Sequence, residues 1–186
     1  LLRSTGVRVF HEGALNLLHQ TGEVHIEDDN LVHFEPGLVE WALRQPPSTI
    51  SLCKRGIDEV IAPLEGRRVN FGTGSDCLTY LDPRNGERRK FTREDVVDSV
   101  HVVDACPELQ FCMSMGVISD HPYLEQFALM LQHTTKPIVF VCDDRADAEA
   151  IVAMTAAAAG GMDKLRRNPS LLIYTEPSSP LRHSFT

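Results

Sequence analysis

Four short apolar runs begin at Val69, Gln110, Pro137 and Leu171, separated by 41, 27 and 34 residues, and amphipathic helical patterns fill the gaps. A step of about 34 residues is the size of one strand–helix unit, and repeating that unit builds a parallel sheet flanked by helices. Eight units would need about 270 residues, close to the ~250 of a closed (β/α)8 TIM barrel. Four fit here. The expected fold class is therefore α/β, the first half of a (β/α)8 barrel. A half barrel leaves two strand edges and a helix face open. The chain is thus expected to be a piece of a longer protein, and its start at Leu1 without Met fits that expectation.

The strands are expected at Val69–Gly72, Gln110–Met115, Pro137–Cys142 and Leu171–Thr175, with helices at about 93–105, 122–132 and 144–159 and a shorter turn near 162–167. Thr92 and Asp95 have the spacing of a capping box, and Val96, Val100 and Val103 line one helix face. Asp143 or Asp144 suits the cap of the Ala-rich helix that ends at Gly160-Gly161. The first gap is long because residues 78–91 make an excursion around Asn85-Gly86, a strong β-hairpin signal. Barrel active sites lie on such strand-to-helix loops.

Residues 1–66 have a different texture and read as a separate N-terminal α+β segment, with 67–186 holding the four β/α units. In it we expect a helix near 10–20 stopped by Thr21-Gly22, two extended pieces around Asp28-Asp29-Asn30, a short helix from Pro36 ended by Pro46-Pro47, and a strand from Thr49 to Lys54.

Charge and cysteine content narrow the function classes. Against 18 Lys and Arg stand 26 Asp and Glu, so the chain would be repelled by nucleic-acid phosphates and anionic membranes, and neither is expected as a partner. The longest apolar runs fall short of the ~20 residues of a membrane span. Five scattered cysteines without a C-x-x-C pair suit a reducing cytoplasm. Eight histidines show no metal-ligand spacing, so no metal site is expected; His101 is expected as a satisfied, partly buried imidazole.

Phe71-Gly72-Thr73-Gly74-Ser75-Asp76-Cys77 invites comparison with G-x-G-x-x-G, but Cys77 stands at the third glycine and a hairpin follows instead of a helix. The glycines read better as a sharp turn or a close backbone approach, with Gly74, Ser75 and Asp76 offering polar groups at a strand end. Glu176 closes the fourth strand with no helix starting at once. Strand alternation sends Met113 and Met115 to one side, where they either line a pocket or fill the core.

Taken together, Gly74-Ser75-Asp76, Asn85-Gly86-Glu87-Arg88-Arg89 leading to Thr92 and Asp95, Ser114-Met115-Gly116 with Asp120, Thr134-Thr135-Lys136-Pro137, and Glu176-Pro177 with Ser179-Pro180-Leu181 resemble the trimethylamine methyltransferase (MttB-like) family. The resemblance extends upstream through Val32 to Pro47. It implies a TIM barrel with an added N-terminal segment that moves a methyl group from a methylated amine to the cobalt of a separate corrinoid protein. The chain itself would bind no cofactor, since the methyl acceptor is the cobalamin of that partner. Some members of the family use trimethylamine with a pyrrolysine, which falls beyond Thr186; others lack it and act on quaternary amines such as glycine betaine.

An in-line displacement at a cationic nitrogen needs the ammonium held, its methyl aligned and water excluded. Carboxylates and aromatic faces attract such a cation. Asp76 and Glu176 are the charged candidates, Ser75 and Gly74 polar neighbours, Phe71 and Tyr80 the aromatic ones, and Met113 and Met115 pocket lining. No catalytic residue is assigned. Arg88, Arg89 and Lys90 are expected to be solvated. Homo-oligomerisation is expected. Two alternatives stay open: a noncatalytic module for betaine-like cations, or a barrel enzyme of another class. The second would need a Schiff-base lysine or metal ligands at strand ends, and Lys136 precedes a strand. The 186-residue piece is expected to be inactive alone.

Overall fold

The computed structural model describes residues 1–116, 118, 123–142, 144–174 and 182–183. Its contacts divide into two units, residues 1–48 with 176–186, and Thr49–Thr175. The hairpin after Ser48 packs against the later strands, which sets Thr49 onward in the second unit.

The first unit opens with β1 (Val7–Val9), absent from the sequence expectation, and then α1 (Glu12–Gln20), whose N-terminus is capped by His11 Nδ1 accepting from the Ala14 N–H at 3.1 Å. Strands β2 (Val24–Glu27) and β3 (Leu31–Phe34) pair antiparallel across the polar Asp28–Asn30 turn, where Asp29 takes a φ of 68°. Helix α2 (Pro36–Arg44) follows, with Pro36 in its first turn.

The second unit begins with β4 (Thr49–Cys53) and β5 (Val60–Glu65), an antiparallel hairpin with a register shift at Leu52/Cys53. Next come β6 (Tyr80–Leu81) and β7 (Arg88–Arg89), the hairpin foreseen around Asn85-Gly86. The helical rhythm then sets in: α3 (Arg93–Ala105), β8 (Cys112–Met113), α4 (Tyr123–His133), β9 (Ile138–Val141), α5 (Arg145–Ala159), α6 (Met162–Arg167) and β10 (Leu171–Tyr174). Strands β8, β9 and β10 are parallel neighbours in chain order, and Gly72 adds a parallel bridge to Phe111. A last strand, β11 (Arg182–His183), belongs to the first unit and runs parallel to β1. The architecture is mixed α/β with several small sheets; among the described residues there is a run of parallel strand–helix units and no closed barrel.

Two expected strands are shorter than their apolar runs. Val69–Gly72 contributes a single bridge, and the 110–115 run pairs as a strand only over Cys112–Met113. At the Gly72 bridge a Cβ would sit 2.1 Å from the Phe111 ring, so only glycine lets these segments approach.

The sheet has two packed faces. Toward the helices, Val96, Val100, Val103, Cys112, Phe127, Met130, Ile138, Phe140 and Ile151 are buried together. On the opposite face, Leu52 and Ala62 of the β4–β5 hairpin bury against Val139, with Phe111, Met113, Leu172 and Tyr174 around them. The hairpin is tied to the amino ends of the parallel strands: Cys53 N–H donates to Pro169 O at 2.6 Å and Arg55 N–H to Thr135 O at 2.7 Å. The carboxyl ends are left to the loops that carry the candidate site.

Caps delimit the helices where the residues indicated. Thr92 and Asp95 form a full capping box on α3. Asp144 caps α5 through the Asp147 N–H, and Gly160 ends that helix with a φ of 84°; Asp143 lies outside the described residues. Lys136 also serves a helix end, its ammonium donating to the Val103, Cys106 and Leu109 carbonyls at 2.6, 2.7 and 2.8 Å. A lysine so committed closes the C-terminus of α3.

In the β6–β7 hairpin Arg88 and Lys90 are exposed as expected, whereas Arg89 is clamped, which corrects the expectation for that residue. Arg89 binds Asp82 at 2.9 Å and Asp95 at 2.5 Å and lies 4.9 Å over the Tyr80 ring. The guanidinium, ahead of the Thr92 hydrogen bonds, holds the Asp95 carboxyl down at about 2. A carboxyl held below its ordinary value contributes stability above that ordinary value and loses it as pH falls through the folded one. Acid melting is therefore expected to show a loss between about pH 4 and about pH 2 that Asp95→Asn removes, the variant being less stable at neutral pH. Thermal denaturation by circular dichroism across this range checks it; parallel acid limbs in wild type and variant would contradict it.

Candidate functional site

At the carboxyl ends of the parallel strands the chain makes a series of close backbone contacts. Asp76 N–H donates to Ser114 O at 2.9 Å and Cys77 N–H to Met115 O at 3.1 Å, while Met113 N–H donates to Thr73 Oγ1 at 2.8 Å. The loop after the first apolar run is thereby sewn to the end of β8. Asp76 adopts a φ of 48°, a left-handed conformation that costs an ordinary residue energy and that collects at functional loops.

This conformation aims the Asp76 carboxylate across the strand ends. Tyr174, the last residue of β10, donates its hydroxyl to Asp76 Oδ2 at 3.1 Å. Among the described residues the buried Oδ1 finds no donor and the Ser114 hydroxyl, on a residue with 0% exposure, no partner. An ionised carboxylate has room for several donors, so a buried oxygen without one calls for an explanation. Tyr174 lies on the sheet face of Leu172, Met113 and Val139. Carboxylate, phenol ring and thioether thus meet on one face at the carboxyl ends, where open α/β sheets place their ligands.

The other sequence candidates are distributed differently. Gly74, Tyr80 and Met115 line a separate cavity of about 610 Å³ between the β6–β7 hairpin and α3, together with Phe91 and Cys77. Phe71 is 62% exposed, and Ser75 is half-buried beside Asp76. Met113 and Met115 do not share a side: Met113 packs with Leu172 and Tyr174, Met115 with the helical core. Alternation fails because β8 ends at Met113, after which Gln126 Oε1 takes the Met115 N–H at 2.7 Å and turns the chain. Glu176 and Asp120 lie outside the described residues.

His101 is satisfied but exposed, its Nε2 lying 3.0 Å from His133 Nδ1 on α4. Among the described residues no three of His, Cys, Asp and Glu converge as a metal site, and no helix is long and apolar enough to cross a membrane.

Tyr174 and Gln126 were missing from the sequence expectation. Tyr174 was within reach, being two residues from Leu172 and so on the same strand face, at the end where ligands bind. Gln126 gave no signal beyond being a polar residue among the apolar ones of α4.

A parallel strand–helix protein with a carboxylate held by a tyrosine at its strand ends belongs to the large class of α/β proteins whose sites are built on strand-end loops. The family model described as trimethylamine methyltransferase (MTTB) matches residues 1–186, and the chain belongs to that family. Trimethylamine methyltransferase MttB of Desulfitobacterium hafniense is 28% identical in an alignment that covers 98% of this chain and 37% of that protein. The chain spans little more than a third of the length of this curated relative.

Proposed function

We propose that the chain is part of a methyltransferase that takes a methyl group from a methylated amine, trimethylamine or a quaternary amine such as glycine betaine, and delivers it to the corrinoid of a cognate partner protein. Membership of the trimethylamine methyltransferase family supports the reaction class. The observation that carries the substrate reading is the Asp76 carboxylate, held by Tyr174 at the strand ends, with one oxygen lacking a donor among the described residues. A negative group beside an aromatic ring suits a small organic cation. In this reading the parallel run is the first half of a (β/α)8 barrel with residues 1–66 as its N-terminal segment, Asp76 and Glu176 line the substrate site, and the protein is a cytoplasmic homo-oligomer that binds no cofactor of its own.

The residues divide the work simply. Asp76 attracts the ammonium, Tyr174 holds the carboxylate, and Met113 supplies an apolar wall on the same face. Holding the nitrogen fixes the direction of its methyl groups, which an in-line displacement requires. The acceptor supplies the nucleophilic cobalt, and the amine leaves with the electron pair of the broken C–N bond.

The test is methylation of the reduced corrinoid partner, followed by its absorbance, with the complete gene product and Asp76→Asn. The positive charge on nitrogen is greatest in bound substrate and falls as the C–N bond breaks, so loss of the carboxylate is expected to act mainly on KM. We expect kcat/KM to fall about 10- to 100-fold, the range of one charge-assisted contact. Wild-type turnover that Asp76→Asn leaves unchanged would remove Asp76 from the site. A wild-type protein that binds the amines and methylates nothing would instead support the noncatalytic cation-binding module.

A further inference from the structure

We infer that the outer face of the β6–β7 hairpin is a docking surface for an acidic patch on a partner protein, the one that receives the methyl group. The inference rests on the methyltransferase reading above and names where its acceptor protein lands. Its starting point is the inequality of the hairpin's two faces. Tyr80 pairs with Arg89, and Leu81 with Arg88. The first pair points inward: Tyr80 meets Phe91 edge-on at 5.2 Å, and Arg89 is held by Asp82 and Asp95. Alternation sends the second pair outward. Leu81 is 60% exposed and Leu78, at the foot of the hairpin, 76%, and Arg88 and Lys90 are exposed with them.

Charge sets this face apart from the rest of the chain. Residues 78–91 carry four basic and two acidic side chains, whereas the remainder carries 14 basic and 24 acidic ones. Arg89 and Asp82 neutralise each other, which leaves Arg84, Arg88 and Lys90 against Glu87. Arg84 lies 3.6 Å from Asp98 of α3 with most of its side chain in solvent, and an exposed pair of this kind loses little when a partner carboxylate replaces it. A positive island on a negative protein steers an acidic surface to one spot. Exposed leucines beside the cations suit a protein, whose interfaces mix apolar contact with arginine, better than a phosphate backbone.

Position selects the partner. Leu78 directly follows Asp76 and Cys77, whose N–H groups bind the Ser114 and Met115 carbonyls, so the hairpin rises from the loop of the candidate site. A protein that collects a group at these strand ends has to land beside it. The surface is also fixed in advance. Asp82 Oδ1 accepts the Arg84 N–H at 3.0 Å, its carbonyl the Gly86 N–H at 2.8 Å, and its own N–H reaches Glu87 O at 2.9 Å. A hairpin ordered before docking keeps more of its contact energy as affinity.

The experiment is calorimetric binding of the complete gene product to its cognate corrinoid protein at low and high salt, with methylation kinetics alongside. The variants are Arg88→Glu combined with Lys90→Glu, Leu81→Ala, and a control, Lys164→Glu combined with Arg167→Glu, on exposed residues of α6. Wild-type binding should weaken as salt rises. The hairpin charge reversal should weaken it by about tenfold or more and flatten the salt dependence. KM for the corrinoid protein should rise in step, while KM for the amine and the melting temperature stay unchanged. Leu81→Ala should weaken binding about fivefold at both salt concentrations, as lost apolar contact does. Binding untouched by the hairpin reversal, an equal loss in the α6 control, or no binding by wild type would overturn the inference. So would hairpin-dependent self-association in sedimentation without corrinoid-protein binding, which would give the face to a second copy. The two readings fail separately. Hairpin-dependent binding without methylation sinks the methyltransferase reading alone, and methylation with an unchanged KM for the corrinoid protein in the reversal variant sinks the docking surface alone.

Discussion

Replacing Phe127 by Ala is expected to cost about 4 kcal/mol, the range of a fully buried phenylalanine truncated in a core that relaxes only in part. Phe127 has no exposed surface, and its ring meets Phe140 of β9 edge-on with centroids 5.0 Å apart. Phe140 in turn meets Tyr123 edge-on at 6.2 Å. The pair is the junction between α4 and the sheet, with Val96 and Val100 from α3 and Ile151 from α5 in the same buried cluster. Truncation therefore opens a cavity where three helices converge on one strand. Thermal melting of the chain should drop by about 10 °C. Phe127→Leu, nearer in volume, should cost less than about 2 kcal/mol. A loss for Phe127→Ala no larger than for Phe127→Leu would show that this layer is looser than its geometry indicates.

The elements legible in the sequence are those whose signals are local. Helix α3 runs from Arg93 to Ala105 because Thr92 and Asp95 cap it and Val96, Val100 and Val103 bury one side, all within a dozen residues. The β6–β7 hairpin follows from Asn85-Gly86 in the same way. Pairing across the chain left no such mark. Strand β1 is held by β3 and by Arg182–His183, a partner at the far end of the sequence, so its three residues carry no strand signal of their own. Strand β5 contains Pro63, which normally argues against a strand; here it stands in a two-stranded hairpin opposite Ser51, where a missing N–H is tolerated.

The site divides along the same line. Asp76 was found from its place at a strand end, but its partner Tyr174 lies 98 residues away, and only the parallel order of the strands brings them together. Met113 and Met115 do not share a side, because strand alternation holds only while pairing lasts and β8 stops two residues before Met115. Gly116 shows what replaces it. A Cβ there would lie 2.3 Å from the Phe91 ring, so the backbone runs directly beneath an aromatic group of the β6–β7 excursion. The loops at this end are fitted by contacts that no periodicity encodes.

Gln126 is the residue on which that fit depends, and Gln126→Leu is expected to be the second large perturbation. The amide is buried in α4 with 3% exposure. Its Oε1 accepts the Met115 N–H at 2.7 Å, with the Gly116 N–H at 3.4 Å, and its Nε2 donates to Gly116 O at 2.8 Å. Leucine fills the space but leaves two backbone groups with good hydrogen bonds unpaired inside the protein, which costs about 3 kcal/mol in total. The consequence extends to the candidate site, because Ser114 O and Met115 O receive the Asp76 and Cys77 N–H groups. When the turn relaxes, the conformation that aims the Asp76 carboxylate loses its support. Gln126→Leu should therefore lower both the melting temperature and the affinity for trimethylammonium. Gln126→Glu keeps acceptors for the two N–H groups but sets a carboxylate against Gly116 O, so it should be intermediate in both. A Gln126→Leu protein that melts lower yet binds the amine as wild type does would show that the Asp76 loop is held from elsewhere.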